Sequence, residues 1–258
     1  MGRVRAAAAL WGILAAAAAA LPAADFQFAI IGDRTGEAVP GVYEHVWRDV
    51  TAEHPAFAIT VGDTIQGLDD ATAEQEWRSL RRLWTLPFFL APGNHDVWSE
   101  ASARAYTRAT GRPLSYGFDW QNAHFTVLDN SRTEELAQDQ LDFLERDLAA
   151  NRDKSPKFVV FHRSFWLIYL KLGNPNFALD QIARRYGVTA VISGHVHQYD
   201  RMTQDGIVYL MVCSSGGHLR TPDGAQDPAH GWLFGHILAT VHGRGVNFAL
   251  KPISSAVP

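Results

Sequence analysis

An α/β sandwich with mixed sheets is the fold class this sequence predicts, and three observations predict it. The front of the chain alternates apolar, partly β-branched runs with segments of helical periodicity. The stretch from Gly206 to Pro252 reads mostly as strands separated by Gly-rich turns. Polar residues of metal-ligand type recur where the apolar runs stop. In order, residues 26–32 read as a strand and 41–53 as a helix, with Val42, His45, Val46 and Val50 near helical spacing. Residues 56–62 read as a strand, and 72–84 as a helix that must end before Pro87. A short strand at 88–91 leads into Gly93-Asn94-His95-Asp96, and 100–109 looks helical. Residues 115–129 read as a hairpin with Asn122 near its turn. Leu136, Leu141, Leu144 and Leu148 predict an amphipathic helix over 134–150. Strand 157–162, helix 176–186 and strand 188–193 follow, and 163–175 reads as an irregular loop over the site.

A chain of 258 residues can bury a substantial core as one domain. Hydrophobic residues make up 47% and charged residues 19%, a globular balance. The net charge of −4 and the lack of a basic run argue against nucleic acid as a partner. Arg3 and Arg5 precede an alanine-rich apolar stretch over 6–20, and small residues follow at 21–24. This is the outline of a secretory signal peptide over residues 1–24, with a mature domain over 25–258. The expectation is export, to the periplasm or outside the cell, with no stable membrane insertion after cleavage. Cys213 is the lone cysteine, so no intrachain disulfide forms; a buried, inert thiol is expected.

The informative polar residues come in a fixed order. Asp33 ends Ala29-Ile30-Ile31-Gly32-Asp33, and Asp63 ends Ile59-Thr60-Val61-Gly62-Asp63. Asn94 and His95 lie in Gly93-Asn94-His95-Asp96, and His162 closes Phe158-Val159-Val160-Phe161-His162. His195 and His197 lie in Gly194-His195-Val196-His197. In open α/β sheets ligands gather beyond the carboxyl ends of strands. Hard oxygens and imidazoles that reach one sheet edge together are what a pair of divalent cations needs.

These blocks resemble, in content and order, those of the calcineurin-like metallophosphoesterases, which include purple acid phosphatases, phosphodiesterases and protein phosphatases. The resemblance covers nearly the whole mature chain. It implies an α/β/β/α sandwich with mixed central sheets and a binuclear centre of Mn, Fe or Zn. It further implies that Asp63 bridges the two ions, that Asn94, His162 and His195 complete the second site, and that Asp33 and His197 belong to the first. His95 is implied to sit beside the substrate and help the leaving group, with Asp96 orienting it. The implied activity is hydrolysis of small phosphate mono- or diesters by a metal-bound hydroxide, with Asp33 and Asp63 as ligands and not nucleophiles.

One block departs from the pattern. Thr35 stands where the family commonly has His, in Gly32-Asp33-Arg34-Thr35-Gly36. Purple acid phosphatases also lack that His and use a Tyr three residues after the bridging Asp, where this chain has Gln66. A Gln carbonyl is a candidate ligand for a hard cation, but it gives none of the colour of an iron phenolate. The first site is therefore expected to be weaker, completed by water, or selective for Mn²⁺ or Fe²⁺. Arg34 is a candidate phosphate clamp or a structural ion-pair partner. His218 and Arg220, after Ser214-Ser215-Gly216-Gly217, are candidates for the pocket wall, and Asn94 also for substrate contact. Two alternative functions stand beside the hydrolase. One is a non-catalytic metal- or phosphate-binding module, motivated by Thr35. The other is a nuclease, which the charge disfavours.

Overall fold

The structure is a computed structural model that describes residues 25–253; the expected signal peptide, residues 1–24, lies outside the described residues. Its elements are β1 (Phe26–Ile31), α1 (Val42–Glu53), β2 (Phe57–Thr60), α2 (Ala73–Leu80), β3 (Phe88–Leu90) and α3 (Glu100–Thr110). There follow β4 (Tyr116–Trp120), β5 (Ala123–Val127), α4 (Gln138–Ala150), β6 (Lys157–Arg163), α5 (Trp166–Lys171) and α6 (Ala178–Tyr186). The chain then forms β7 (Ala190–Gly194), β8 (Asp200–Gln204), β9 (Ile207–Met211), β10 (Gly235–His242) and β11 (Gly245–Pro252).

Two mixed sheets result, a five-stranded one ordered β11-β10-β1-β2-β3 and a six-stranded one ordered β4-β5-β6-β7-β9-β8. In the first, β1, β2 and β3 run parallel, and β10 and β11 pair antiparallel on the far side of β1. In the second, β5, β6, β7 and β9 run parallel between the antiparallel edges β4 and β8.

Strand periodicity divides the core. Along β1, Phe26, Phe28 and Ile30 point between the sheets, while Ala29 and Ile31 point to the helices. Along β6, Phe158 and Val160 point between the sheets and Val159 and Phe161 point outward. Both faces are covered, which is why these strands read as continuous apolar runs. Phe28 meets Phe125 and Phe158 of the opposite sheet edge-on, with ring centroids 5.2 and 5.3 Å apart. Val42, Tyr43, Val46, Trp47 and Val50 seat α1 on the first sheet, together with α2 and α3. Leu144 and Leu148 of α4, Trp166 and Leu170 of α5, and Leu179 and Ile182 of α6 seat the other helical layer on the second. The order of layers is α/β/β/α, as expected.

Four local expectations need correction. The helix expected over 72–84 stops at Leu80 and tightens into a 3₁₀ turn, Arg81–Leu83, before the chain extends toward Pro87. The helix expected from residue 134 begins at Gln138. Before it, the Thr133 hydroxyl donates to the Glu135 carbonyl at 2.6 Å, a local bond that competes with helix. The segment 163–175 is not wholly irregular, because it contains α5, pinned where the Trp166 indole donates to Ser193 Oγ at 2.8 Å. Finally, β8 precedes the part of the chain read as β-rich, while 212–234 is mostly loop.

Candidate metal centre

Parallel strands end on one edge, and the two stacked sheets bring their edges together. Asp33 follows β1, Asp63 follows β2, Asn94 follows β3, His162 sits near the end of β6, and His195 and His197 follow β7. The turns that carry them are tight. A Cβ on Gly93 would lie 2.2 Å from Asp63 N and 2.3 Å from its Oδ1, so only glycine lets the β3 turn approach Asp63. Asp63, His195 and His197 hold φ of 54°, 72° and 66°, the left-handed region. Each such residue costs about 1–3 kcal/mol, and such strain clusters at functional sites.

Two donor triplets emerge, Asp63–His162–His195 and Asp33–Asp63–His197, with donor atoms within 4.8 Å of one another in each. Asp63 belongs to both. The His162 Nδ1–H donates to the Val61 carbonyl at 2.9 Å, which turns Nε2 inward. That Nε2 lies 3.0 Å from Asn94 Oδ1, 3.0 Å from His195 Nδ1 and 3.3 Å from Asp63 Oδ2. Likewise, His197 Nδ1–H donates to the His218 carbonyl at 2.7 Å, which leaves Nε2 facing Asp33, 3.9 Å from its Oδ1. The Asp33 carboxylate accepts from His195 N–H at 2.9 and 3.1 Å, and Asp63 Oδ1 accepts from His95 N–H at 2.9 Å.

This donor set fits divalent cations on its own chemistry. Asp33 and Asp63 are almost wholly buried, and their ion-pair partners among the described residues are imidazoles. Around His162 Nε2, an amide oxygen, a carboxylate oxygen and a second ring nitrogen crowd a single N–H. Such a surplus of lone pairs is what a cation relieves. The protonation of the bare donors tells the same story. Burial pushes Asp33 above the usual carboxylate range, against the pull of His197 and His162. At Asp63 burial works in the same direction, but His162 and His95 outweigh it and hold the carboxyl well below that range. Burial lowers His162 as well, yet Asp63 and Asp33 overcome it and raise the imidazole to about 9. Burial and then the neighbouring His162 charge lower His195 to about 3. Two buried carboxylates thus concentrate negative charge on one imidazole, the kind of field that favours a cation.

Around this core the structure sorts the other expected residues. His95 belongs to neither triplet, and its Nδ1 bonds the Gln66 carbonyl at 2.6 Å. Asp96 does not act as the expected orienting partner of that ring. Its oxygens accept from Thr64 N–H at 2.8 Å, Ile65 N–H at 3.0 Å and Gly93 N–H at 2.9 Å, so it braces the turns after β2 and β3. Burial, then the Asp63 charge, raise its pKa to about 7 despite those bonds. Thr35 is buried, and its hydroxyl donates to the Gln66 side-chain oxygen; Gln66 itself is exposed, unlike the buried core of the donor set. Arg34 donates to the Thr64 carbonyl at 3.2 Å and lies over the Tyr43 ring, which favours neither earlier alternative outright. His218 supplies its carbonyl to His197, and Arg220 donates weakly to the His195 carbonyl at 3.4 Å. Cys213 is buried with its thiol pushed up to about 12 by burial, hence inert.

Sequence reasoning missed Asn130. It is buried, and its Oδ1 accepts from His162 N–H at 3.1 Å and Arg163 N–H at 3.0 Å, while its Nδ2–H donates to the Arg163 carbonyl at 3.1 Å. It therefore fixes the end of β6 that carries His162. A lone Asn after a hairpin gives no signal of this; the contact exists only once β5 and β6 pair.

The chain is similar to several known proteins. Purple acid phosphatase 15 of Arabidopsis thaliana is 23% identical over 55% of this chain and 32% of its own length. The 3',5'-cyclic adenosine monophosphate phosphodiesterase CpdA of Haemophilus influenzae is 25% identical over 60% of each chain. The purple acid phosphatase PPD1 from yellow lupin superposes with a TM-score of 0.64 at 16% identity, over 88% of this chain and 52% of that one. The chain thus spans about a third of the plant phosphatase and 60% of the phosphodiesterase. The sequence model described as calcineurin-like phosphoesterase matches residues 26–199, which include every member of both donor triplets, and the chain belongs to that family.

Proposed function

We propose that this chain is an exported, metal-dependent phosphohydrolase that cleaves small phosphate mono- or diesters. The observation that carries the reading is the pair of donor triplets sharing Asp63. Asp63, Asn94, His162 and His195 would hold one cation, and Asp33, Asp63 and His197 the other. Bound divalent cations supply Lewis acidity toward phosphate oxygens and a nucleophile drawn from water at neutral pH.

The chain's own residues do the rest. Asp33 and Asp63 supply the negative charge that retains the cations while a phosphate anion enters. Their own oxygens are held by backbone N–H groups of His195 and His95, so the donor geometry is set before substrate arrives. His95 is the general acid. Its Nδ1–H donates to the Gln66 carbonyl, which fixes the ring and leaves Nε2 as the atom that would pass a proton to the departing alkoxide. Asp96 positions both flanking turns from below. Export is supported by the sequence of residues 1–24, and the net charge of −4 suits a small substrate better than a nucleic acid.

A specific observation favours a second reading, a metal- or phosphate-binding module without turnover. Thr35 offers no imidazole to the Asp33–Asp63–His197 triplet, and its hydroxyl is engaged with Gln66. One experiment separates the two. Purified protein is assayed with an aryl phosphate and its bis-aryl diester in Mn²⁺, Fe²⁺, Zn²⁺ and Co²⁺, and its metal content is measured. Hydrolysis of either ester with close to two ions per chain is expected. No turnover with close to one ion per chain would establish the binding module instead.

A further inference from the structure

Among the described residues the exposed large hydrophobic side chains are Leu68, Ile168 and Leu172, and two of them belong to one short stretch after His162. Ile168 is 65% exposed and Leu172 78%. Ile168 lies on α5 and Leu172 caps its C-terminal end; buried Trp166 and Leu170 anchor the helix from beneath and keep these two side chains turned outward. With Phe165, Leu167 and Tyr169 they line a cavity of about 560 Å³. That volume falls within the range of about 300–1,000 Å³ that takes small-molecule ligands.

The cavity is continuous with the metal centre. His195, a donor of the first triplet, forms part of its wall, and Val196 follows it. Arg163, next in sequence to His162, stands at the junction, with Nη1 donating to Glu134 Oε1 at 2.7 Å. The groove is therefore charged where it meets the donors and apolar along α5. A sugar or nucleoside alcohol would find few polar partners on that apolar wall. An aryl ring or alkyl chain would bury surface that otherwise remains in water.

We infer that the α5 groove binds the apolar alcohol moiety of the phosphoester, so that the preferred substrate carries an alkyl or aryl group. The inference rests on the phosphohydrolase reading for the identity of the head group, and on the groove itself for the tail. The phosphate lies against the donors and the tail runs past Arg163 onto Ile168 and Leu172.

Calorimetry with n-alkylphosphonates from methyl to octyl tests this on Mn²⁺-loaded protein, since phosphonates bind without being hydrolysed. Affinity is expected to rise about fourfold per methylene that enters the groove, reaching about a hundredfold or more between methyl and octyl. The variant carrying Ile168→Ser and Leu172→Ser is expected to flatten the octyl-to-methyl ratio. A flat series in the unaltered protein, or a slope that survives in the double variant, overturns the inference. So does a third result, in which soluble phosphonates show no slope but neutral phosphatidylcholine vesicles sediment the protein in a manner dependent on Ile168 and Leu172; α5 would then be a membrane-contact surface. Hydrolysis of octyl and methyl phosphates distinguishes the two levels. Binding that rises with chain length without turnover of either ester sinks the phosphohydrolase reading and leaves the groove. Turnover of both at equal kcat/KM, with a flat phosphonate series, sinks the groove alone.

Discussion

His95 and Asp63 lie side by side, joined by the bond from His95 N–H to Asp63 Oδ1, yet the proposed reaction gives them separable tasks. His95→Ala is expected to keep its metal and lose about 10²–10⁴-fold in kcat, the usual worth of a positioned acid. Asp63→Ala, which removes the donor common to both triplets, is expected to lose metal and activity together. Metal content by emission spectroscopy, measured beside turnover, checks both; release of metal from His95→Ala would refute the division. Asn130 offers a subtler test. It touches no donor atom, but it holds the backbone on either side of the His162–Arg163 peptide. Asn130→Ala leaves buried backbone N–H groups unpaired, at about 1–3 kcal/mol. It is expected to weaken metal affinity by about 10–100-fold, the scale seen when a partner that orients a ligand is removed. Titration of the variant with Mn²⁺, read against its unfolding free energy, separates misplacement of His162 from a general loss of stability.

At the level of elements, β5 carries a device for pH dependence that is distant in sequence from the metal donors. His124 is buried between two carboxylates, with Nδ1 2.7 Å from Asp119 and Nε2 2.8 Å from Asp147. Burial alone would lower its pKa, but the two carboxylates outweigh burial and raise it above the ordinary value. Because the folded pKa exceeds the unfolded one of about 6.5, this contribution to stability is complete below that pH and disappears as pH climbs through the folded value. The unfolding free energy of the native protein minus that of His124→Asn is expected to shrink as pH rises from about 6.5 through the raised folded value in urea melts. A constant difference would show that His124 does not carry the effect. The same scale explains what was legible beforehand. Asp33, Asp63, Asn94, His162, His195 and His197 could be read because each closes a β-rich run, and ends of parallel strands meet without further information. Strand β8 was missed although Asp205-Gly206, at φ of 50° and 82°, is a recognisable hairpin turn to β9. Its alternating exposure at a sheet edge lacks the continuous apolar signal of the central strands. Helix α5 was missed because six residues are too few to display a period. Asp96 was misassigned for another reason: adjacency to His95 in sequence says nothing of direction, and its carboxylate turns toward backbone.

For the whole molecule, the candidate donors come from both sheets, so bound cations would act as clasps between the halves of the sandwich. Binding to the folded state alone adds about 2.7 kcal/mol per site at a hundredfold excess over Kd. Addition of Mn²⁺ to chelator-treated protein is expected to raise Tm by several degrees, and the increase is expected to vanish in Asp63→Ala. An unchanged Tm in the native sequence would mean that the two edges are already locked without ions. The last hairpin bears on when this happens. β10 pairs with β1 along its length, from Phe26 with Val241 to Ile31 with His236, and the Asp33 carbonyl accepts from Ser215 and Gly217. The first strand made is thus finished by one of the last. During synthesis, the turn after Asp33 must wait for some two hundred residues before it is secured, so metallation is expected only once β10 and β11 have emerged. Ribosome-arrested chains that stop short of β10 are expected to retain no Mn²⁺ in a pull-down, and those that include β11 to retain it.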